Sequence, residues 1–417
     1  MKNYDLIVVG GGFAGVASAI SAARQGLRVL LIEKSNCLGG TAANCLVNPF
    51  MPNYTHINGK QVDFSSGIFK EILKKLEERN ALLWNSHFSE EELKYILNEM
   101  MLENNVDLLF HAYLTRVHKQ ESTIKSIVLA TIDGEITLGA KFFIDATGDG
   151  QLAFLSDCKY LLGREKDNLT QPMTLCFRIG NVDTDKFYKT IDKVQVEYKK
   201  AQEAGKITNP RENILVFSTP IKNVLHFNTT RVVKKNPTNP FEKTEAEIIS
   251  RKQTHEIYDF LKNHAAGMEN SFLMSTAFEI GVRESRKIIG EYVLTENDLL
   301  SCTKFDDGVV ACNYDLDVHS PEGTGTSHHY FKEGEYYTIP YRAFIPKGIN
   351  NMLISGRCIS SDQGAQSSFR IMPTVASIGE ATGTAIGIAV RDKLDNVRNV
   401  DIKKLQKRLK ESYIKNS

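Results

Sequence analysis

The chain has 417 residues, of which 42% are hydrophobic and 24% charged, and its formal net charge at pH 7 is +1. This length predicts two closely joined domains, and the near-zero charge argues against nucleic acid or an anionic membrane as the main partner. The seven cysteines include no C-x-x-C pair, so we expect reduced thiols in a cytoplasmic protein, with no disulfide framework, zinc site or iron–sulfur site.

The first 33 residues have the pattern of a strand, a glycine turn, a helix and a second strand. An apolar run rich in β-branched residues, 4–9, stops at a G-x-G-x-x-G sequence. In this spacing Gly10 makes the tight turn, Gly12 lets backbone N–H groups approach a pyrophosphate, and Gly15 lets the helix pack on the strand. The second strand ends in Glu33, which is placed to bind both hydroxyls of an adenosine ribose. The context predicts a dinucleotide-binding βαβ unit.

The uncharged run from Leu6 to Ala23 is long enough to resemble a membrane span or a signal peptide. Its three consecutive glycines weaken a helix, and the dinucleotide-binding interpretation accounts for every residue in it. We therefore expect a soluble protein.

The residues after the second strand distinguish NAD from FAD. Lys34 follows Glu33 directly, and a glycine pair, Gly39-Gly40, precedes Thr41. This sequence resembles the extended motif of the glutathione-reductase-type FAD proteins, in which the glycine pair runs along the pyrophosphate towards the flavin. Plain NAD dehydrogenases have no such extension, so FAD is the favoured cofactor.

Helical patterns dominate the next segment. Apolar residues at helical spacing over 64–79 predict a helix that Ser65 or Ser66 could cap. A capping box that begins at Ser89 predicts a second helix to about residue 103. We expect residues 51–105 to be a helical insertion in the FAD-binding domain.

A short strand over 106–110 and an antiparallel meander over 113–138 lead to another strand, which ends in the sequence A-T-G-D-G at 146–150. This ending resembles the second FAD fingerprint of the same superfamily, where a small residue and a glycine let the chain turn beside the adenosine and pyrophosphate. A βαβ unit, a meander and an A-T-G sequence in this order are, in combination, a specific signal of this superfamily. We assign residues 1–155 to the FAD-binding domain.

Residues 156–345 mix strand-like runs with a long polar helix over 244–263. They contain no second G-x-G-x-x-G unit, so we expect no dedicated NAD(P)H domain and assign this region to a substrate domain.

The chain then returns to the FAD-binding domain over 346–393. A short strand ends in Gly356-Arg357, and the sequence R-I-M-P-T at 370–374 precedes a helix of recurring small residues. Small side chains would let this helix lie close to the sheet and cofactor, and its N-terminus would place a positive dipole near the flavin. We expect residues 394–417 to form a C-terminal helix.

Together these segments resemble the bacterial FAD-dependent oxidoreductase family, which is related to the flavin subunit of heterodisulfide reductases and, more distantly, to the fumarate reductase flavoproteins. The resemblance runs from about residue 4 to about 390 and is carried by 10–15, 33–34, 39–40, 146–150, 281–286, 339–342, 355–357 and 370–374. It implies an α/β fold (α+β in part): a Rossmann-like FAD-binding domain of the glutathione-reductase type with an inserted mixed β/α substrate domain. It implies no particular substrate, and the chain lacks the cluster-binding cysteines of the heterodisulfide relatives.

The motifs and the resemblance give one set of predicted FAD contacts. They are Gly10, Gly12, Phe13, Ala14, Gly15, Glu33, Lys34, Gly39, Gly40, Thr41, Leu114, Ala146, Thr147, Gly148, Asp149, Gly356, Arg357, Arg370, Met372 and Thr374.

Flavin chemistry also needs groups that move a proton and fix the charge of the substrate. Arg283 and Arg286 could bind a carboxylate bidentately, or could pair with Glu284, Glu291 or the sheet ends as structural ions. Residues 313–319 alternate polar and apolar, so a strand here would place Asn313, Asp315, Asp317 and His319 on one face. If that face lines a cleft, His319 is the candidate acid or base; a solvated strand face is the open alternative.

Cys45 could lie beside the flavin ring, but it has no resolving partner at C-x-x-C spacing, which favours packing over redox chemistry. The carboxylates and histidines at 315, 317, 319, 328 and 329 fit no standard metal-site spacing, so we predict no metal site.

The sequence therefore predicts an FAD-dependent oxidoreductase that transfers a hydride between flavin N5 and a small polar or anionic organic substrate. Its electron donor or acceptor is unknown, and a homo-oligomer is an open possibility. Two alternatives remain: a redox-neutral flavoprotein of the hydratase or isomerase type, and an electron-transfer flavoprotein that acts in a complex.

Overall fold

The structure is a computed structural model that describes residues 4–415. The first part of the chain, to residue 155, alternates strands and helices. Its elements are β1 (Tyr4–Val9), α1 (Phe13–Ala23), β2 (Val29–Ile32), α2 (Thr41–Asn44), β3 (Tyr54–Ile57), β4 (Lys60–Asp63), α3 (Ile68–Glu78), β5 (Leu82–Leu83), β6 (His87–Phe88), α4 (Glu90–Glu103), β7 (Asp107–Leu109), β8 (Tyr113–Gln120), β9 (Thr123–Thr131), β10 (Gly134–Leu138), β11 (Ala140–Asp145) and α5 (Gln151–Leu155).

The middle part contains two long helices and short strands: β12 (Tyr160–Leu162), β13 (Phe177–Gly180), α6 (Thr184–Glu203), β14 (Val216–Ser218), β15 (Leu225–Phe227), α7 (Pro240–His264) and β16 (Phe272–Thr276). The last part contains β17 (Arg286–Ile288), α8 (Glu296–Leu300), β18 (Gly308–Cys312), β19 (Leu316–His319), β20 (Thr326–His329), β21 (Tyr337–Pro340), a 3-10 turn (Tyr341–Phe344), β22 (Met352–Ile354), α9 (Gln363–Phe369), α10 (Met372–Arg391), a second 3-10 turn (Val397–Asn399) and α11 (Ile402–Lys415).

The central sheet has five parallel strands in the order β22-β11-β1-β2-β7. The inner strands are almost wholly apolar and buried, as expected for a parallel sheet covered on both faces. β1, β2, β11 and β22 all end at the same edge, so the glycine turn, the Glu33 end, the A-T-G turn and the Gly356 turn meet there. The predicted Rossmann-like fold is confirmed. Ligands of such sheets bind outside the carboxyl ends of the strands.

Helix α10 packs on α1 through glycines. A Cβ at Gly379 would lie 2.2 Å from the carbonyl oxygen of Ala14, and one at Gly383 would lie 2.2 Å from that of Ser18. The small residues of α10 thus allow close packing against α1, whereas the sequence analysis predicted that they would pack against the sheet and cofactor. Hydrogen bonds between hydroxyls reinforce the contact, including Ser18 Oγ to Thr382 Oγ1 at 3.0 Å.

A second core lies under the four-stranded antiparallel sheet β14-β15-β13-β16 and contains residues from α6 and α7. Helix α6 was not predicted from the sequence, although it buries one face through Phe187, Val194 and Tyr198. Residues 288–345, which we placed in the substrate domain, pack into the larger core with the parallel sheet. The division of the chain into domains stays a prediction.

The insertion over 51–105 contains the two predicted helices and also two small hairpins, β3–β4 and β5–β6. Ser89 caps α4 by accepting from the Glu92 N–H, as predicted. The predicted serine cap of α3 is wrong: this helix begins after Gly67, and Glu380 Oε2 accepts from the Ile68 N–H at 3.3 Å.

The run from Leu6 to Ala23 forms β1, the glycine turn and α1. Over residues 4–415, no helix combines the length and the apolar character that crossing a bilayer requires.

Candidate active site

A cavity of about 760 Å³ opens at the carboxyl edge of the parallel sheet. Its walls include the glycine turns of the sheet and residues from three further segments: 174 and 176, 211–213 with 215 and 217, and 279–283. The volume falls within the range of about 300–1,000 Å³ that is typical of ligand pockets. The cavity is large enough to be shared by a cofactor and a substrate.

The glycine turns form a cradle that side chains would fill. A Cβ at Gly40, where φ is +52°, would lie 2.9 Å from Gly12 Cα. A Cβ at Gly10, where φ is +106°, would lie 2.4 Å from the carbonyl oxygen of Ala146. Only glycine fits these close approaches without strain, and the resulting groove exposes backbone at the start of α1, as pyrophosphate binding requires.

Glu33 is held at the end of β2. Its Oε2 accepts from the Gly11 N–H at 2.6 Å, and its Oε1 accepts from the Ser35 N–H at 2.9 Å. These bonds orient the carboxylate at the cavity wall, where the sequence placed an adenosine ribose. The first fingerprint therefore has the geometry that an adenine dinucleotide needs.

The second fingerprint, at residues 146–150, is hydrogen-bonded to Arg357, which follows the end of β22. Arg357 Nη2 pairs with Asp149 Oδ1 at 2.6 Å, and Arg357 Nε donates to the carbonyl oxygen of Gly148 at 3.0 Å. Ser285 Oγ donates to the same carboxylate at 2.6 Å. Although burial opposes ionisation, the charge of Arg357 and this hydrogen bond hold the pKa of Asp149 below its usual range.

Of the twenty predicted FAD contacts, eighteen line the cavity; the exceptions are Gly15 and Thr374. A Cβ at Gly15 would lie 1.8 Å from the carbonyl oxygen of Gly10, which fits its predicted role in packing the helix on the strand. Thr374 Oγ1 donates instead to the buried Cys312 Sγ at 3.3 Å.

Three further arginines, Arg211, Arg283 and Arg370, line the cavity. Arg283 Nη1 donates to the carbonyl oxygen of Pro172 at 2.9 Å and to Thr174 Oγ1 at 2.5 Å. Burial, together with the charges of the other two arginines, lowers the pKa of Arg283 to about 9. The site thus holds three positive charges close together, of which Arg211 is buried and Arg283 and Arg370 are half-buried.

Neither glutamate that we considered as a partner for Arg283 is paired with it. Glu284 accepts from Lys287 Nζ, and Glu291 pairs with Arg398 at 2.7 Å. Among residues 4–415, no carboxylate lies within salt-bridge distance of Arg283 or Arg211.

Two guanidinium nitrogens in the cavity wall have no hydrogen-bond partner in the described part of the chain: Arg211 Nη1 and Arg370 Nη1. Arg211 is 7% exposed, so its orphan nitrogen is shielded from bulk water. Arg370 Nη2 donates to the backbone oxygen of Asp317 at 3.0 Å and lies 3.6 Å from Asp317 Oδ2. The sequence did not identify Arg211, because no local motif marks it.

The predicted strand over 313–319 is shorter than expected. β19 starts at Leu316 and pairs with β20, and of the four polar residues only Asp317 and His319 line the cavity. Asn313 Nδ2 donates to the carbonyl oxygen of Tyr54 at 2.7 Å. The expected polar face towards a cleft is therefore limited to two residues.

Both ring nitrogens of His319 are engaged. Nδ1 lies 3.0 Å from Arg231 Nη2 and 3.0 Å from Thr326 Oγ1, and Nε2 lies 3.3 Å from Asp317 Oδ2. Since the guanidinium can only donate, Nδ1 accepts and Nε2 carries the hydrogen. Burial and the charge of Arg283 lower the pKa of His319 to about 3, so the ring is neutral at pH 7, whereas the sequence alone suggested an ordinary histidine.

The other two predicted catalytic residues differ in placement. Cys45 lies in the cavity wall, and burial raises its pKa, so it remains a thiol; its Sγ is 3.7 Å from the carbonyl oxygen of Ile280. Arg286 is not in the wall: its guanidinium lies 4.1 Å from the centroid of the Phe154 ring. The described residues contain no group of three or more histidines, cysteines or carboxylates that could hold a metal ion.

A parallel Rossmann-like sheet, two glycine-lined phosphate turns and an acidic strand end together define a dinucleotide-binding flavoprotein, and its cofactor is FAD. The chain belongs to the FAD dependent oxidoreductase family, whose sequence model matches residues 5–409. The family predicted from the sequence is confirmed, and so is its cofactor.

Curated relatives match short segments of the chain. A dihydrolipoamide dehydrogenase from Chaetomium thermophilum is 42% identical over 57 residues, which is 13% of this chain and 11% of the relative. The tRNA uridine 5-carboxymethylaminomethyl modification enzyme MnmG from Mycoplasma capricolum subsp. capricolum is 30% identical over 160 residues, which is 35% of this chain and 24% of the relative. The chain thus spans at most 24% of the length of these two relatives.

Among solved structures, a geranylgeranyl bacteriochlorophyll reductase-like protein from Thermoplasma acidophilum superposes with a TM-score of 0.50. The alignment covers 100% of this chain and 86% of the other, at 13% sequence identity. This likeness establishes a shared fold.

Proposed function

We propose that this FAD-dependent oxidoreductase transfers a hydride between FAD and a small organic substrate that carries negative charge. The observation that supports the charge is the arginine set of the cavity. Arg211, Arg283 and Arg370 all line the cavity, and the charges of the other two act on Arg283. Arg211 Nη1 and Arg370 Nη1 have no partner in the described part of the chain.

Burying a cation away from water costs free energy unless it is paired. A guanidinium out of water needs either a carboxylate or hydrogen-bond acceptors for its N–H groups, and an unsatisfied buried group costs about 1–3 kcal/mol or more when charged. Arg283 is satisfied only by neutral oxygens of Pro172 and Thr174. An anionic substrate would supply the missing acceptors and the missing charge.

Bound FAD supplies the site that accepts or donates the hydride. The residues of the chain have to bind the substrate, orient it and keep water out. Arg283 and Arg211 would hold the anionic group, and Asp317 would keep Arg370 in place through its backbone oxygen. His319, neutral and hydrogen-bonded at both nitrogens, would fix the position of Asp317.

The test is an anaerobic titration of the FAD-loaded protein with a panel of 2-hydroxy acids, 2-amino acids and saturated dicarboxylates, followed by flavin absorbance. We expect at least one compound to bleach the flavin. Arg283→Ala should raise its half-saturating concentration about 10- to 100-fold, because a charge-assisted hydrogen bond contributes about 1.5–3 kcal/mol.

Arg116→Ala is the matched control, since Arg116 is exposed and pairs with Glu135 on the meander. It should leave the titration unchanged. A flavin that stays oxidised with every acid, although the acids bind, would contradict hydride transfer and favour the redox-neutral alternative. Normal titration of Arg283→Ala would exclude this arginine from substrate binding.

A further inference from the structure

A second histidine of the cavity wall, His328, has surroundings that differ from those of His319. It lies on β20, and its Nδ1 is 2.7 Å from Asp315 Oδ2. Its Nε2 is 3.8 Å from Asp317 Oδ1, which is outside hydrogen-bond range. The ring is stacked on Tyr330 at 5.4 Å, and the side chain is 36% exposed.

These contacts determine which nitrogen of His328 carries the hydrogen. An ionised Asp315 can only accept, so Nδ1 donates to it and the neutral ring leaves the lone pair of Nε2 open. A carboxylate that holds a histidine in this way orients the ring and stabilises the imidazolium that forms when Nε2 takes up a proton.

The charged groups around the two histidines differ: arginines as well as Asp317 act on His319, whereas carboxylates lie beside His328. His319 contacts Arg231 through Nδ1 and Asp317 through Nε2. Burial and the charges of Arg283 and Arg370 outweigh this carboxylate and oppose protonation of the ring. His328 faces two carboxylates, Asp315 and Asp317, and the phenol ring of Tyr330. A proton is therefore disfavoured on His319, whereas the open Nε2 lone pair of His328 can accept one.

We propose that His328, oriented by Asp315, is the group that exchanges a proton with the substrate. This assignment rests on the proposed function, and it moves the proton-transfer role away from His319. Because His328 both lines the cavity and is partly exposed, it can pass the proton on to solvent.

The step balances in atoms and charge. During oxidation of a substrate with a C–H bond next to an O–H or N–H bond, the C–H electron pair leaves with its hydrogen as the hydride that FAD accepts. The O–H or N–H bond breaks, its proton goes to His328 Nε2, and the electrons left behind form the C=O or C=N bond. In the reducing direction the same proton returns from Nε2.

The neighbouring histidine provides a matched control. His329 follows on the same strand, so its side chain points to the opposite face, where it is exposed and contacts Phe331. It is not part of the cavity wall. The variants His328→Asn and His329→Asn therefore make the same substitution on opposite sides of one strand.

The first measurement is the pH dependence of anaerobic flavin reduction by whichever acid of the panel bleaches the wild-type flavin. His328→Asn should slow reduction about 10²- to 10⁴-fold, the range for general acid–base groups, and should remove a limb of the pH profile. His329→Asn should match wild type. Asp315→Asn should also slow reduction, because the carboxylate that orients the ring through Nδ1 is lost.

The second measurement is ¹⁵N NMR of the histidines in the FAD-loaded protein, with His328→Asn and His319→Asn used for assignment. We expect His328 to carry its hydrogen on Nδ1 when neutral and His319 on Nε2. Wild-type reduction rates in His328→Asn at every pH, or a neutral His328 protonated on Nε2, would overturn this inference alone. A wild-type flavin that no acid reduces would overturn the proposed function with it.

Discussion

Arg178 and Glu90 form a buried ion pair that joins β13 of the antiparallel sheet to the start of α4. Nη1 of the arginine lies 2.6 Å from Oε1 of the glutamate, and Nη2 donates to Oε2. The side chains are 4% and 9% exposed. The pair therefore links the larger core, to which α4 belongs, with the second core, to which β13 belongs.

The first prediction concerns this pair. Glu90→Ala should lower the free energy of unfolding by about 3–5 kcal/mol, because it leaves an uncompensated buried guanidinium. Denaturant unfolding measures the loss. Glu92→Ala is the control, since Glu92 lies on the same helix and pairs with the exposed Arg79, and it should cost less than about 1 kcal/mol. Equal losses of unfolding free energy in the two variants would show that burial of the Arg178–Glu90 pair does not affect stability.

The second prediction concerns the contact between α1 and α10. Gly383→Ala should lower stability by about 1–3 kcal/mol, because its Cβ would meet the backbone oxygen of Ser18, which cannot move alone. At Gly387 the new Cβ would meet only the flexible end of Gln25. Gly387→Ala gains helix propensity and should stay within about 1 kcal/mol of wild type. Thermal unfolding of both variants tests the difference, and similar melting temperatures would contradict it.

The third prediction concerns the end of β2. Glu33→Ala should weaken FAD binding about 10- to 100-fold through loss of charge-assisted hydrogen bonds to the ribose. Quenching of flavin fluorescence during reconstitution of the apoprotein measures the dissociation constant. Glu135→Ala, on the exposed meander, should bind FAD as wild type does. A wild-type affinity of Glu33→Ala for FAD would mean that the carboxylate accepts hydrogen bonds only from the Gly11 and Ser35 N–H groups and not from the ribose.

The fourth prediction concerns pH and His226, a fully buried side chain whose two ring nitrogens have no hydrogen-bond partner in the described residues. Burial and the nearby charge of Arg178 lower its pKa to about 3, against about 6.5 in the unfolded chain. Between these values the unfolded chain binds more protons than the folded one, so this histidine makes stability fall as the pH drops from about 6.5 towards 3.

The measurement is denaturant unfolding of His226→Leu at pH 7 and pH 5. At pH 7 the variant should be as stable as wild type or more stable by about 1 kcal/mol, because two unsatisfied polar atoms are removed. Wild type should lose about 2 kcal/mol at pH 5 through this group, and the variant should not. His255→Leu, exposed on α7, should keep the wild-type pH dependence. The same dependence in His226→Leu would refute the assignment.

The cofactor site follows from the sequence because its requirements are local. Pyrophosphate binding at a helix start needs glycines at set spacings, and those spacings are visible in a single stretch of chain. The βαβ unit, the meander, the A-T-G turn and the family were predicted in this way and agree with the structure. Local signals also predicted α4 and its serine cap, whereas the cap of α3 comes from Glu380, 312 residues away in the chain.

The proposed substrate side of the cavity is determined only by tertiary structure. Arg211, Arg283 and Arg370 are far apart in the chain, and folding alone places them in the lining of one cavity with Asp317. Two histidines nine positions apart, His319 and His328, acquire different surroundings because only His319 also packs against an arginine. The sequence specifies which residues can ionise, but their charge states depend on burial and on neighbours that only the packed fold supplies.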